Sequence, residues 1–375
     1  MSWEKKTLDQ LGSVSRGKSK HRPRNDPKLF GGQYPFIQTA DVKNANFYIT
    51  EYSDTYNETG LAQSKLWDVG TLCITIAANI ADTGILAIPA CFPDSIIGFI
   101  PYGGISDVRF VKYCFDMLQQ DCKQISQGTA QDNLSWQKLS TIEFPAPPIE
   151  TQRRIADILS AYDDLIENNR KQIKLLEEAA QRLYKEWFVD LRFPGHEHTK
   201  IVDGVPEGWE KKLLADVVEV KYGKDHKSIP DGSIPVYGSG GFIRKCNQIL
   251  YDGESVLIPR KGSLNNIIYV NEAFWTVDTM FYTKMKLSNI GAFVYFFIKA
   301  FDMYSMNIGA AVPSMTTNIL NALDIVVPDA DILERFQSAS KMCFDKIAIL
   351  HKQTETATQA RDRLLPKLMS GEVEV

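Results

Sequence analysis

The fold is decided by a phrase that the chain uses twice. Residues 2–19 read SWEKKTLDQLGSVSRGKS, and residues 208–225 read GWEKKLLADVVEVKYGKD. Identical residues recur at one constant offset, from Trp3 and Trp209 at the start to Lys18 and Lys224 at the end. Because solenoid repeats are far shorter than half a chain, this self-similarity indicates a tandem duplication.

Each half continues with the same order of secondary-structure signals. The phrase predicts a short helix or turn that runs into a strand, and further β-rich runs follow it. Strands are predicted at YPFIQTADV (34–42), TLCITIAANI (71–80), SVLIPRKG (255–262) and IIYVNEAFWTV (267–277). A late aromatic helix is predicted at DVRFVKYCFDML (107–118) and at IGAFVYFFIKAF (290–301), and each half closes with a strand that ends at proline.

After each closing proline, the hydrophobic period changes from two residues to about three and a half. In the first half an apolar seam runs over more than four heptads, and nine acids and eight bases between residues 150 and 192 cover the other faces. Its predicted core positions are Ile155, Leu159, Tyr162, Ile166, Asn169, Ile173, Leu176, Ala180, Leu183 and Trp187. The polar Asn169 is typical of a residue that sets the register of a coiled coil.

A second seam follows the second half of the chain. Its positions are Phe336, Ser340, Cys343, Ile347, Leu350, Thr354, Ala357, Arg361, Leu364 and Leu368, and Thr354 and Arg361 weaken it. Because a narrow apolar stripe must be covered in water, we expect the two helices to pair as an antiparallel coiled coil. Pro366 is expected to stop or kink the second helix near its end.

The bulk composition is that of an ordinary globular protein. The length of 375 residues predicts two or three domains. The chain is 44% hydrophobic and 23% charged, with a formal net charge of −4. The apolar runs are shorter than the ~20 residues that span a bilayer, so we expect a cytoplasmic protein without membrane contact. Six cysteines lack close C-x-x-C spacing, so we expect reduced, mostly buried thiols and no bound metal.

This order of segments resembles the specificity (S) subunit of Type I restriction–modification enzymes. The resemblance rests on WEKK…L at both module starts, on the proline exits, and on the helix IETQRRIADILSAYDDLIENNRKQIKLLEEAAQRLYKEWF (149–188) with its counterpart that ends in LLPKLMSGEVEV (364–375). It covers essentially the whole chain. It implies two target-recognition modules that each read one half of a split, asymmetric sequence in double-stranded DNA, with helices that fix the distance between the halves.

The resemblance also implies partners. Modification (M) subunits, two per chain, dock on the helical regions and methylate adenine, and restriction (R) subunits join through them. The chain itself is then a non-catalytic specificity subunit without a cofactor.

The expected fold class is α+β, with two β-rich α/β modules separated by two long antiparallel helices and related by a pseudo-twofold axis from the duplication. The expected domains are the first module at 1–146, the first spacer helix at 147–193, a linker at 194–208, the second module at 209–328, and the second spacer helix with the C-terminal tail at 329–375.

Basic residues are concentrated in particular loops. Residues 1–30 hold eight Lys or Arg against three acids, whereas residues 31–147 hold six against twelve, and such a local excess predicts contact with DNA phosphates or bases. The predicted DNA-binding residues are Arg16, Lys18, Lys20, Arg22 and Arg24 in the first module and Lys224, Lys227, Arg244, Lys245, Arg260, Lys261 and Ser263 in the second. Asn265 and Asn266 are candidates for pairing with adenine. The alternatives are a solvated charged loop and a hairpin turn with incidental charge.

Two other classes of protein compete with this interpretation. A stand-alone DNA methyltransferase or nuclease needs its own chemistry, but the chain has no Asn/Asp-Pro-Pro-aromatic tetrapeptide for a flipped base and no Glu-x-Lys a short distance downstream of its Pro-Asp pairs. A coiled-coil scaffold for protein partners explains the helices, but it does not explain the basic loop.

Overall fold

The computed structural model describes residues 3–76, 82–125, 136–306 and 314–375. The predicted strand at 71–80 therefore lies partly outside the described residues. The chain divides into two compact units, which we call unit 1 (Met1–Lys171 with Leu350–Val375) and unit 2 (Gln172–Ile349). Each unit holds one module together with one end of each long helix.

Unit 1 is built from short strands around one five-stranded sheet. Its elements are β1 (Lys5–Thr7), α1 (Leu8–Leu11), β2 (Gly12–Arg16), β3 (Phe30–Phe36), α2 (Thr39–Asn44), β4 (Tyr48–Ile49), β5 (Asp54–Tyr56), α3 (Glu58–Ala62), β6 (Leu66–Trp67), β7 (Leu72–Thr75), β8 (Thr83–Leu86), β9 (Ala90–Cys91), β10 (Ile96–Pro101), α4 (Val108–Ile125), α5 (Trp136–Leu139), β11 (Glu143–Pro145) and the first part of α6 (Ile149–Tyr184). The strand order is β2-β10-β7-β8-β4 in the five-stranded sheet and β5-β3-β9-β6 in a second sheet. All residues of β7 and β8 are buried, as expected for strands covered on both faces.

Unit 2 repeats this plan around a six-stranded sheet. Its elements are a π-helical turn (Lys185–Val189), β12 (Ile201–Val202), β13 (Val205–Pro206), β14 (Glu210–Leu213), α7 (Leu214–Val217), β15 (Val218–Tyr222), β16 (Ile234–Gly238), β17 (Gly241–Cys246), β18 (Tyr251–Pro259), β19 (Ile268–Thr276), β20 (Met280–Met285), α8 (Gly291–Lys299), α9 (Thr317–Asn321), β21 (Asp324–Val327) and the first part of α10 (Ala330–Met369). The strand order is β15-β20-β18-β19-β16-β17. The apolar helix α8 packs against β18 and β19 and supplies aromatic rings to the core.

The duplicated opening phrase closes each module on itself. In unit 1, β1 pairs antiparallel with the last strand β11, and in unit 2, β14 pairs antiparallel with β21. The short helix after each opening strand is fixed in the same way, because Gln10 accepts a hydrogen bond from the Thr7 N–H at 2.9 Å and Asp216 accepts one from the Leu213 N–H at 2.9 Å. The last strand of each module therefore lies beside the opening strand before the long helix begins. Each module needs its own copy of the phrase because the phrase supplies that opening strand.

Each module is also attached to the first turns of its own long helix. The Gln152 side chain of α6 accepts a hydrogen bond from the Asp107 N–H at 3.1 Å, next to the start of α4. In the second module the Gln337 side chain of α10 accepts one from the Ala292 N–H at 3.1 Å, at the start of α8. Both glutamines satisfy N–H groups at a helix N-terminus, which have no partner inside the helix itself.

The long helices pair antiparallel in both units. In unit 1 the start of α6 packs against the end of α10, with Ile155 and Leu159 in one apolar cluster with Leu365, Leu368 and Met369. In unit 2 the end of α6 packs against the start of α10, where the cluster contains Ala180, Tyr184, Leu333 and Phe336. The predicted fold class, two β-rich modules with an antiparallel pair of long helices, is confirmed.

One local prediction was wrong. The segment YPFIQTADV is a strand only to Phe36, and α2 begins at Thr39, because the Asp41 side chain accepts a hydrogen bond from the Gln38 N–H at 2.7 Å and caps a helix. Pro366 lies inside α10, which ends three residues later at Met369, so the helix ends near this proline but not at it. Less than one turn of helix follows Pro366.

Candidate nucleic-acid interface

A glycine turn positions the basic loop of the first module, which we define as residues 16–28. The Gly17 N–H donates to the Ile96 carbonyl at 2.8 Å, and the Lys18 N–H donates to the Phe92 carbonyl at 3.0 Å. A Cβ atom at Gly17 would lie 2.3 Å from the carbonyl oxygen of Pro93, so a larger residue does not fit this close approach of two backbones.

The second module contains the same turn. The Gly223 N–H donates to the Met280 carbonyl at 3.0 Å, and the Lys224 N–H donates to the Thr276 carbonyl at 2.9 Å. A Cβ atom at Gly223 would lie 2.0 Å from the carbonyl oxygen of Val277. The Gly-Lys pair thus has one structural role in both modules, which is to place an exposed lysine where the first long strand leaves the sheet.

Three of the predicted DNA-binding arginines hold their own loops together. Arg22 donates to the carbonyl oxygens of Ser19 at 2.7 Å and His21 at 2.8 Å, and Arg24 forms an ion pair with Asp94. In unit 2, Arg244 donates to the Ile229 carbonyl at 2.7 Å and to Asp231 at 2.9 Å. Because these guanidinium groups bind oxygen acceptors within their own module, they stabilise the loops.

The basic loop contains a further internal hydrogen bond. His21 Nε2 lies 2.9 Å from Asp26 Oδ2. The Lys28 N–H and the His21 ring together hold the pKa of the Asp26 carboxyl below its ordinary value, because both interactions favour the charged form. The loop is therefore an organised structure that presents its remaining cations from a fixed backbone.

The remaining candidate cations are accessible. Five of the predicted lysines and arginines are exposed and have no hydrogen-bond or ion-pair partner for their side chains among the residues that the structure describes: Arg16, Lys18, Lys20, Lys224 and Lys261. Lys227, Lys245 and Ser263 are also exposed. Long, exposed cations on a fixed backbone are suited to contacts with phosphates.

Several loops of the second module converge around the tip of the β16–β17 hairpin. The Asn266 side chain donates to the Ser239 carbonyl at 2.9 Å, and the Tyr304 hydroxyl donates to the Gly262 carbonyl at 3.3 Å. Asn265 accepts from the Met303 N–H at 2.8 Å. The two asparagines considered for adenine pairing are therefore occupied in holding the loop that carries Lys261 and Ser263.

The seam residues of the long helices differ in their burial. Ile155, Leu159, Ile166, Asn169, Ile173, Phe336, Leu350 and Leu368 are buried, and Tyr162, Leu176, Leu183, Trp187, Ile347 and Leu364 are half-buried. The Nδ2 group of Asn169 has no hydrogen-bond partner among the described residues. Trp187 lies in the π-helical turn and contacts Phe336 at a ring-centroid distance of 5.9 Å.

A buried ionic cluster in unit 1 was missed by the seam pattern. Asp163 is fully buried, accepts a hydrogen bond from the Tyr113 hydroxyl at 2.5 Å, and pairs with Arg361. Burial raises the pKa of Asp163, and the Arg361 guanidinium partly offsets this effect. The signal was present in the sequence, because Arg361 occupies a seam position and needs an acid opposite it.

The described residues offer no group of three or more His, Cys, Asp or Glu side chains that could hold a metal ion. Within the same ranges, no helix is both long and apolar enough to span a membrane. The cysteines whose side chains are described are free thiols, and burial raises the pKa of Cys73 and Cys114.

Comparisons with known proteins agree with this architecture. The profile of the family described as "Type I restriction modification DNA specificity domain" matches residues 1–178 and 206–353. The chain is 27% identical to the Type I restriction enzyme MjaIX specificity subunit of Methanocaldococcus jannaschii over 410 aligned residues, which cover 100% of this chain and 94% of that protein. It is 23% identical to the HindI specificity subunit of Haemophilus influenzae, over 64% of this chain and 71% of that protein.

A solved structure shows the same fold. The crystal structure of the Type-I restriction-modification system S subunit from M. genitalium aligns with a TM-score of 0.62 over 98% of this chain and 96% of that chain, at 19% sequence identity.

Two related modules, each with a glycine-lysine turn and each attached to its own long helix, define a protein built by internal duplication. The chain belongs to the Type I restriction modification DNA specificity domain family. This membership confirms the prediction of a non-catalytic specificity subunit and favours it over the stand-alone enzyme and the scaffold.

Proposed function

We propose that this protein reads a bipartite, asymmetric site in double-stranded DNA, one half with each module, and directs partner subunits to methylate adenine or to cleave. The proposal is supported by one observation: both modules share the same set of structural contacts, but their loops differ. Three features recur in both modules: the Gly-Lys turn, the antiparallel pairing of the first strand with the last strand, and the glutamine contact to the long helix.

The loops on this frame differ between the modules. The first module carries the basic loop, in which Arg24 forms an ion pair with Asp94. The second module carries the β16–β17 hairpin and the loop with Lys261. A shared frame with different loops supports the recognition of two different half-sites, because the frame fixes the position on the duplex while the loops contact the bases.

Lysines and arginines with accessible side chains are the proposed phosphate contacts. They are Arg16, Lys18, Lys20, Lys224, Lys227, Lys245 and Lys261, with Ser263 as a neighbouring donor. Arg22, Arg24 and Arg244 contribute indirectly, because their guanidinium groups fix the shape of the loops.

The long helices are proposed as the spacer and as the docking region for the partners. We assign two M subunits, with R subunits joining through them, and the working complex to the cytoplasm. The domain limits proposed from the sequence (1–146, 147–193, 194–208, 209–328 and 329–375) define the segments to exchange or shorten.

A module exchange tests the assignment of one half-site to each module. The full chain with residues 1–146 replaced by the first module of another specificity subunit is expressed with its M partner, and methylated adenines are mapped in the genomic DNA. One half of the methylated sequence should change while the other half stays the same. A change in both halves would contradict independent reading by the two modules.

A matched shortening of the helices tests the spacer. Residues 165–171 of α6 and residues 353–359 of α10 face each other in the register that places Asp163 beside Arg361. Removing both segments preserves the heptad phase and shortens each helix by about 10 Å at 1.5 Å per residue. At 3.4 Å per base pair, the gap between the two half-sites should shrink by about 3 base pairs. An active complex with an unchanged gap would refute the spacer role.

A binding measurement separates this proposal from the stand-alone enzyme. The purified chain should not bind S-adenosylmethionine in calorimetry, whereas the complex with M should bind it and methylate duplex DNA. Cofactor binding by the chain alone would support the enzyme alternative.

A further inference from the structure

Arg260 differs from the other arginines of the second module's loops. The guanidinium of Arg244 is occupied by carbonyl and carboxylate oxygens of its own module. The side chain of Arg260 has no hydrogen-bond or ion-pair partner among the described residues, and its Nε atom is shielded from solvent without an acceptor. A guanidinium carries five N–H donors, and the four on the two terminal nitrogens of Arg260 have no acceptor among the described residues.

The backbone of Arg260 is fixed on both sides. It follows the last residue of β18, where Pro259 pairs with Met280. The Arg260 N–H donates to the Thr279 carbonyl at 2.8 Å, and the Arg260 carbonyl accepts from the Met315 N–H at 2.9 Å. The side chain therefore starts from a rigid point at the end of a central strand of the six-stranded sheet.

The side chain of Arg260 is supported by an exposed aromatic ring. The guanidinium carbon lies 5.7 Å from the centroid of the Tyr222 ring, within the range of a cation–π contact. Tyr222 is 51% exposed, and its ring packs edge-on against buried Phe281 at a centroid distance of 5.0 Å. The Tyr222 ring is thus supported by the core, and it holds the half-buried Arg260 side chain beside the Gly223–Lys224 turn.

This arrangement is what bidentate base recognition requires. Guanine presents two acceptors, O6 and N7, in the major groove, and the planar guanidinium fork matches both. A preorganised side chain loses little conformational freedom when it binds. Flexible lysines such as Lys224 and Lys261, by contrast, suit phosphates, for which one point charge is sufficient.

We propose that Arg260 reads a guanine in the half-site of the second module, and that Tyr222 is the positioning residue that holds its fork. The inference rests on the proposed function, because it assigns one base contact to the module that reads the second half-site.

The test uses the chain in complex with M and a duplex that carries the methylated sequence mapped for the wild-type complex. Each guanine of the second half-site is replaced in turn by 7-deazaguanine, which lacks the N7 acceptor but still pairs with cytosine. For the wild type, one position should weaken binding by roughly 5- to 150-fold.

The conservative variant Arg260→Lys keeps the charge but loses the fork. It should lose the sensitivity to 7-deazaguanine at that one position, and the mapped sequence should become degenerate there while all other positions stay fixed. Tyr222→Leu should relax the same position, whereas Tyr222→Phe should preserve recognition because the ring is retained. The matched control Lys261→Gln should weaken binding to all sequences alike and leave the mapped sequence unchanged.

The outcomes separate the inference from the proposed function. If Arg260→Lys retains full sensitivity to every 7-deazaguanine and an unchanged sequence, Arg260 contacts only a phosphate or nothing, and the inference is wrong while the proposed function stands. If no base change in the second half-site affects binding of the wild type, the second module does not read DNA, and the proposed function itself fails. Variants are compared only when their melting temperatures match the wild type, and the first half-site, which must remain recognised, serves as the internal control.

Discussion

Removal of Arg361 should destabilise unit 1 strongly, because it leaves a buried charge alone. Asp163 has 0% of its surface exposed, and its partners are the Arg361 guanidinium and the Tyr113 hydroxyl. Breaking a buried ion pair by removing one partner costs about 3–5 kcal/mol. At about 2–4 °C per kcal/mol for a unit of this size, Arg361→Leu should lower the melting temperature by roughly 6–20 °C.

The destabilisation caused by Arg361→Leu should depend on pH in a defined direction. Burial raises the pKa of Asp163 above its ordinary value, so the folded state holds this proton more tightly than the unfolded state, and stability falls as the pH rises through the folded pKa. Arg361 is the main group that lowers this pKa, so its removal raises the pKa further. The difference in stability between the wild type and Arg361→Leu should therefore shrink from pH 8 to pH 5.

Thermal denaturation followed by circular dichroism checks both statements, and two further variants serve as controls. Arg182 is 82% exposed in its pair with Glu178 and is the matched surface arginine, so Arg182→Leu should change stability by less than about 1 kcal/mol. Asp163→Asn combined with Arg361→Leu should recover most of the loss, because no buried charge remains and the amide oxygen still accepts from Tyr113. A double variant that melts no higher than Arg361→Leu would refute the reasoning.

Three other outcomes are expected. Gly223→Ala should lower the melting temperature by several degrees, because its Cβ would lie 2.0 Å from a carbonyl oxygen, whereas Gly240→Ala, whose Cβ would have nothing within 4 Å, should be nearly neutral. Lys18→Gln and Lys20→Gln should each reduce the slope of log K against log salt concentration by about 0.9 in DNA-binding titrations, and an unchanged slope would exclude a phosphate contact. Cys73 should resist alkylation at neutral pH until the protein unfolds, as followed by mass spectrometry, because burial raises its pKa.

The repeated phrase and the heptad spacing were sufficient to predict the architecture. Identical residues at one offset required two similar modules, and the seam from Ile155 to Trp187 required a long helix with a partner. An error arose where one side chain overrode a local pattern. Asp41 caps a helix within a segment that alternates like a strand.

The candidate interface was predicted only as a set of basic residues. Arg22, Arg24, Arg244 and Arg260 look alike in the sequence, yet three of them hold their own loops and one has no hydrogen-bond or ion-pair partner in the described part of the chain. The acceptors that make the difference, such as Asp94 and the carbonyl of Ile229, belong to other segments of the chain.

The sequence alone determined the duplication, the two long helices and the family resemblance, because periodicity and repetition are properties of neighbouring residues along one chain. The tertiary structure alone decided which cations remain accessible, why both modules need a glycine before the lysine, and which buried acid pairs with Arg361. Each of these depends on atoms from segments far apart in the chain, and a hydrogen bond or a steric clash is fixed only when folding has placed both partners within about 3 Å.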